Sequence, residues 1–229
     1  QAETKINTEP DFISENEMQG LLDLLDQTIE RDDSSINLVV TSGSLPKGVS
    51  SDFHQRVIQR CHIANKPCCL DASGAPLESA VLAGPDLIKP NLVELAELTG
   101  VRICTFGDVE SASRQLIEQG VGKVLASLGP DGAMMVDSEQ SLWAKTTGVQ
   151  VKNSVGAGDA LLAGFVSNYQ SQNPKENLVD ALVWASSAAE SETTFFNIDE
   201  SFRQRTTLEV DFDRGVPLAS FVEPGKVGT

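Results

Sequence analysis

Basic side chains are scarce in this chain: 17 Lys and Arg stand against 33 Asp and Glu, a formal net charge of −16 over 229 residues. A nucleic-acid backbone would be repelled by that field unless a basic stripe offset it locally, and no such stripe occurs, so a nucleic-acid partner is excluded. Long apolar runs are also missing. None approaches the roughly 18 residues of a membrane span, and no charged-then-apolar leader precedes a cleavage site, so a soluble chain with no membrane partner is expected. The four cysteines, Cys61, Cys68, Cys69 and Cys104, form no C-x-x-C pair, and only His54 and His62 are available to assist a zinc site. Buried free thiols in a reducing, cytoplasmic compartment are the expectation. Two nucleotide signatures are absent as well: no G-x-x-x-x-G-K-[ST] occurs, which excludes a P-loop, and no G-x-G-x-x-G opens the first strand-to-helix turn. There is no internal repeat and no long low-complexity linker.

What is present is ordinary globular composition, 40% hydrophobic and 22% charged, in a length sufficient for one large α/β domain or two small ones. Ser14 followed by Glu17 reads as a capping box opening an amphipathic helix over 18–29. Short apolar runs then alternate with helical stretches. Strands are expected at 37–41, 67–71, 86–89 and 123–127, with helices at 51–65, 76–82, 91–98 and 109–119. This rhythm indicates parallel βαβ units, which place the carboxyl end of each strand on one rim. From Ala133 the period shortens: AMMVD, SLWAK and GVQV read as strands of an antiparallel edge. Helices follow at 157–169 and 175–190, and the tail carries a strand candidate, TLEVDF, with DFDRGVPLASF placed as a closing strand. If the run at Cys68 and Cys69 is a strand, their side chains point to opposite faces. An acidic chain of this kind can still bind a phosphorylated small molecule, because backbone amides and one or two local cations suffice.

The chemically richest stretch is Asn153-Ser154-Val155-Gly156-Ala157-Gly158-Asp159-Ala160. Two glycines flanking a small residue at a helix start permit close approach by an anion, and the orphan amides there, with the dipole behind them, favour negative charge. An acidic residue in a first helical turn is also favoured by capping and dipole effects alone, so Asp159 does not by itself declare a site. Its companions do. Ser127-Leu128-Gly129-Pro130-Asp131-Gly132 follows strand KVLAS; taken alone it is a Gly/Pro turn. Lys89-Pro90-Asn91-Leu92-Val93-Glu94 follows another strand; taken alone it is an Asn N-cap with Glu at its third position. Ser42-Gly43-Ser44-Leu45-Pro46 follows a third. Four such segments in order, each directly after an apolar strand, mark the rim where open α/β sheets bind ligands.

The run 153–160 resembles the C-terminal signature of the PfkB (ribokinase-like) carbohydrate kinases, and the other three segments resemble that family's motifs in the family's order. The resemblance covers about residues 1–195. It implies a three-layer α/β/α fold with a mainly parallel sheet, and the substrates ATP and a sugar with Mg²⁺ as cofactor. It assigns Asp159 as catalytic base and the amides of Gly156, Ala157 and Gly158 as the anion hole for the transferring phosphoryl group. Lys89, Asn91, Ser127, Gly129 and Gly132 fall at nucleotide-binding positions, and Val183 and Ser187 where the family lines its adenine pocket. Asn91 and Glu94 fall where the Mg²⁺–phosphate assembly is held, commonly through water. Gly43 and Ser44 fall at the sugar-contacting turn. Asn153 and Val155 lie where some members bind a monovalent cation, although Glu192 and Thr194 replace the usual Asn and Gly downstream. Asp71-Ala72-Ser73-Gly74 also matches the pattern and is read as loop structure.

SGSLPKG, the DASG turn and NSVGAGDA are together closer to the 1-phosphofructokinase and tagatose-6-phosphate kinase branch than to ribokinase or adenosine kinase. Relative to the family, the first strand with its substrate-binding Asp, the following glycine pair and most of the β lid are not represented. Residues 1–10 read as the end of a lid strand, with Lys5 on it, and 11–229 as the ribokinase-like core, so with Gln1 in place of Met the chain reads as a fragment. A homodimer contact through the lid is the implied assembly. The expectation is an ATP-dependent phosphosugar kinase acting on a ketohexose phosphate, with fructose 1-phosphate as the leading acceptor. The alternatives are a non-catalytic nucleotide-binding module, or a same-fold kinase for another sugar, a nucleoside or a vitamin.

Overall fold

The computed structural model describes residues 11–30, 36–171 and 173–222. The expectations for residues 1–10 and Lys5 lie outside them. Helix α1 (Glu15–Ile29) starts where expected: the Ser14 hydroxyl accepts from the Glu17 N–H while the Glu17 carboxylate accepts from the Ser14 N–H, and Met18, Leu22 and Ile29 form its buried stripe. There follow β1 (Val39–Ser42), α2 (Phe53–Ile63), β2 (Cys68–Asp71), α3 (Gly74–Val81), β3 (Leu87–Ile88), α4 (Leu92–Thr99), β4 (Ile103–Thr105) and α5 (Phe106–Glu118). The chain continues through β5 (Val124–Ser127), β6 (Ala133–Val136), β7 (Ser141–Thr146), α6 (Ala157–Val166), α7 (Pro174–Glu190), β8 (Thr206–Glu209) and β9 (Pro217–Val222).

Seven strands form the central sheet in the order β1-β2-β3-β5-β6-β7-β8. The first four are parallel neighbours and the last three join antiparallel. The parallel half is built from runs such as Cys68, Cys69 and Leu70, each 0% exposed, because both faces of that half must be covered. On one face α2, α3, α4 and α5 pack Ile58, Leu77, Leu95 and Leu116 against Cys68 and Leu70; on the other, α6 and α7 pack Phe165 and Leu178 against Cys69 and Leu125. This is the expected three-layer α/β/α architecture, and Cys68 and Cys69 do part to opposite faces. All four cysteines are free. Helices α6 and α7 touch closely because Gly164 has no side chain: a β-carbon there would lie 2.7 Å from the Asp180 carbonyl oxygen.

Two expectations are corrected. Residues 148–151 form no strand: the open edge of β7 is taken by β8, so the segment finds no strand partner among the described residues, and Val151 is 67% exposed. The strand that closes the main sheet lies earlier in the tail than DFDRGVPLASF. β8 closes the main sheet, and the later β9 runs antiparallel to β4, a three-residue strand too short for any periodicity to signal.

Candidate active site

The carboxyl ends of β1, β2, β3 and β5 meet on one rim, and the motif segments at 42–46, 89–94 and 127–132 leave from them; the segment 153–160, expected to follow a strand directly, instead follows a loop after β7. The Gly43 N–H donates to the Asp71 carbonyl at 2.9 Å, so the turn after β1 lies beside the end of β2. Lys89, at the end of β3, places Nζ 3.1 Å from Asp71 Oδ1, with 7% of the Lys side chain and 17% of the Asp side chain exposed. The same ammonium lies against the start of α6, where a β-carbon built on Gly158 would sit 3.3 Å from it. Asn91 bridges in parallel to Ser127, whose N–H donates to the Pro90 carbonyl. Gly43, Lys89, Asn91, Glu94, Ser127 and Gly158 are thereby gathered on one rim.

Local sequence explains each piece. Asn91 caps α4: its Oδ1 accepts from the Val93 and Glu94 amides at 2.8 and 3.0 Å, and Glu94 Oε2 accepts from the Asn91 N–H at 2.9 Å. The capping explanation is therefore real, and it leaves Glu94 fixed at the rim. Ahead of α6, Asn153 Oδ1 accepts from the Val155 N–H, and Gly156 takes φ +84°, a left-handed turn that a β-carbon would strain. The Ala160 N–H is bonded to the Gly156 carbonyl, so the amides of Gly158 and Asp159 precede that ladder. Asp159 is exposed in the first turn.

Charge is concentrated at this rim. Burial pushes the Asp71 carboxyl above its ordinary range; Lys89 pulls it back, and the Asp159 charge raises it further. Glu94 is pushed up as well, mainly by burial, against the lowering effects of the Asn91 amide and Lys89 and with the Asp71 charge raising it. Beneath the β1 turn, buried His54 places Nδ1 2.7 Å from Thr41 Oγ1, and its pKa is lowered by burial against the favourable pull of the Gly43 backbone.

The remaining candidates differ in setting. Ser44 is exposed on the β1 turn. Gly129 has open space where a side chain would be, while Gly132, at φ +87°, is pressed against the backbone of Ala144. Val183 and Ser187 are buried in α7, and their described bonds run inward: Ser187 Oγ donates to the Val183 carbonyl and accepts from the Asp199 N–H. Glu192 pairs with Lys152 at 3.8 Å. Among the described residues no cluster of three or more His, Cys, Asp or Glu is placed to hold a metal, and no helix is long and apolar enough to cross a membrane. A cavity of about 810 Å³ opens at the opposite end of the strands, lined by Asn37, Pro67, Lys123 and Tyr169 among others, and contains none of the motif residues.

Sequence reasoning passed over Asp71 as loop structure. The signal available was a carboxylate closing one parallel strand, beside Lys89 directly after the next. It considered His54 only for zinc.

Comparison with known proteins agrees with this fold. The pfkB family of carbohydrate kinases matches residues 2–194. A 1-phosphofructokinase from Bacillus subtilis is 33% identical over 174 residues, 76% of this chain and 56% of that protein, so the chain spans little more than half the length of this relative. A structure from Staphylococcus aureus superposes with a TM-score of 0.78 at 25% identity, covering 97% of this chain and 68% of that one. Phosphofructokinase-2 from Escherichia coli, in complex with substrates and products, superposes with a TM-score of 0.76 at 27% identity over 86% of this chain and 63% of that one. Motif order, rim geometry and family match coincide: the chain belongs to the pfkB family of carbohydrate kinases.

Proposed function

We propose that the chain is the nucleotide-binding and catalytic part of an ATP-dependent phosphosugar kinase, which transfers the γ-phosphoryl group to a hydroxyl of a ketohexose phosphate. Fructose 1-phosphate, giving fructose 1,6-bisphosphate, is the leading acceptor. The observation that supports it most is the position of Lys89, whose ammonium spans from Asp71 at the end of β2 to the first turn of α6. Phosphoryl transfer depends on positioning and charge stabilisation more than on covalent chemistry, and a buried cation beside a helix start supplies both.

In this reading the Asp159 carboxylate takes the proton of the attacking hydroxyl, and the amides of Gly156, Ala157 and Gly158 receive the transferring group. Gly43 and Ser44 orient the sugar. Lys89, Asn91, Ser127, Gly129 and Gly132 serve the nucleotide, with Val183 and Ser187 behind the adenine. The rim suits a magnesium ion held through water, since Asp71, Glu94 and Asp159 crowd negative charge around Lys89 while Asn91 Oδ1 is already engaged by two amides. Glu94 would accept from its water shell, with Asn91 fixing Glu94 in place through its N–H, and the ion would neutralise phosphate charge.

The test uses the protein with whatever in-frame sequence precedes Gln1, offered ATP and fructose 1-phosphate, tagatose 6-phosphate, fructose 6-phosphate, ribose and adenosine in parallel. Asp159→Asn should lower turnover by about 10²–10⁴ on the preferred acceptor. A variant within about threefold of the parent removes Asp159 from the role of base. Nucleotide binding without transfer to any acceptor would leave a binding module instead.

A further inference from the structure

The tail beyond residue 194 lies outside the family match, yet it is fastened to the loop between β5 and β6. Asp131, the fifth residue of Ser127-Leu128-Gly129-Pro130-Asp131-Gly132, is the fastening point. Its side chain is 12% exposed: Oδ2 accepts from the Ala219 N–H of β9 at 2.6 Å, and Oδ1 pairs with Lys145 of β7 at 3.3 Å. Its carbonyl accepts from Trp143 Nε1 at 2.7 Å, and its N–H donates to the Leu128 carbonyl. The polar groups of Asp131 thus turn inward, whereas Gly129, two residues earlier, faces open space.

The tail itself is held from two further sides. Phe212 packs edge-on against Phe106 and Trp143, with centroids 6.2 and 6.4 Å away, so the indole that bonds the Asp131 carbonyl also contacts the tail. Arg214 clamps onto Glu110, which accepts from Arg114 and Ser141 as well. β9 then pairs with β4.

We infer that Asp131 is a positioning residue through which the C-terminal strand β9 sets the shape of the nucleotide loop, so that nucleotide affinity depends on the Ala219–Asp131 hydrogen bond. The inference rests on the reading of Gly129 and Gly132 as nucleotide contacts. A carboxylate cut loose from the Ala219 amide keeps only its Lys145 partner, and the loop can then leave the shape that presents Gly129 to open space.

The test is calorimetric titration of the chain with magnesium and the non-hydrolysable imido analogue of ATP, with a thermal melt of each variant. Ala219→Pro removes the donor, and Asp131→Ala removes the acceptor together with the Lys145 ion pair. Each should weaken binding about tenfold, as expected for a hydrogen bond to a charged group, and the double variant should be no weaker than either single one. Asp131→Asn, which retains an acceptor oxygen, should recover affinity to within about threefold of the parent. Arg60→Ala, which cuts the remote ion pair with Asp26, provides the control for lost stability alone and should leave affinity unchanged. The inference is overturned if either single variant melts cooperatively yet binds within about twofold of the parent, or if the two losses multiply in the double variant. Failure of the parent chain itself to bind the analogue would instead refute the nucleotide reading of the loop.

Discussion

Lys89 and Asp71 form an ion pair at 3.1 Å across the ends of two neighbouring parallel strands, with 7% and 17% of their side chains exposed. Removing one partner leaves the other buried and uncompensated. Lys89→Met should therefore cost about 3–5 kcal/mol and lower the melting temperature by on the order of 10 °C. Adding Asp71→Asn to that variant should return much of the loss, since it removes the stranded charge. Thermal melts of the two singles and the double decide it; a double no more stable than Lys89→Met would show that the cost lies elsewhere.

Gly164→Ala should destabilise by about 1–3 kcal/mol, because its β-carbon would have to fit 2.7 Å from the Asp180 carbonyl oxygen, backbone that cannot yield cheaply. Gly20 in α1 makes the opposite case: nothing lies within 4 Å of a β-carbon there. Gly20→Ala should stabilise by about 0.5–1 kcal/mol through helix propensity and reduced freedom of the unfolded chain. Urea unfolding of both variants checks the pair of signs.

His54 gives the fold a pH dependence of its own. Burial depresses its pKa below 6.5 despite the Gly43 backbone, so the unfolded chain binds a proton that the folded chain resists. Its contribution is fully present above pH 6.5 and is lost as pH falls through the depressed folded value. Replacing His54 by Gln should flatten the decline in melting temperature below pH 6.5 relative to the parent. Parallel slopes in the two proteins would assign the decline to other groups.

Much of this architecture was legible because its signals are local. Ser14 with Glu17 and Asn91 with Glu94 announce helix starts within four residues, and runs such as KVLAS announce buried strands. The rim followed, since motifs that directly succeed parallel strands must share one end of the sheet. What escaped depends on partners far apart in the chain. β4 is a strand only because β9 returns to it, and residues 148–151 carry strand-like alternation but meet no free edge. Asp71 acquires its meaning from Lys89, and Asp131 from Ala219, pairings that no local window contains. The exposed placement of Asp159 was legible in outline, as a first-turn residue of an anion-receptive helix; the ammonium lying beside Gly158 was not.

The back-to-back setting of Cys68 and Cys69 has a practical side. Those two thiols and Cys61 are 0% exposed, walled off on both sides of the sheet, whereas Cys104 in β4 is partly open to solvent. The native chain thus offers a single address for a thiol-reactive dye, on the strand that receives the tail. A colorimetric count rising from one reactive sulfur to four would report loss of the fold, with no ligand needed.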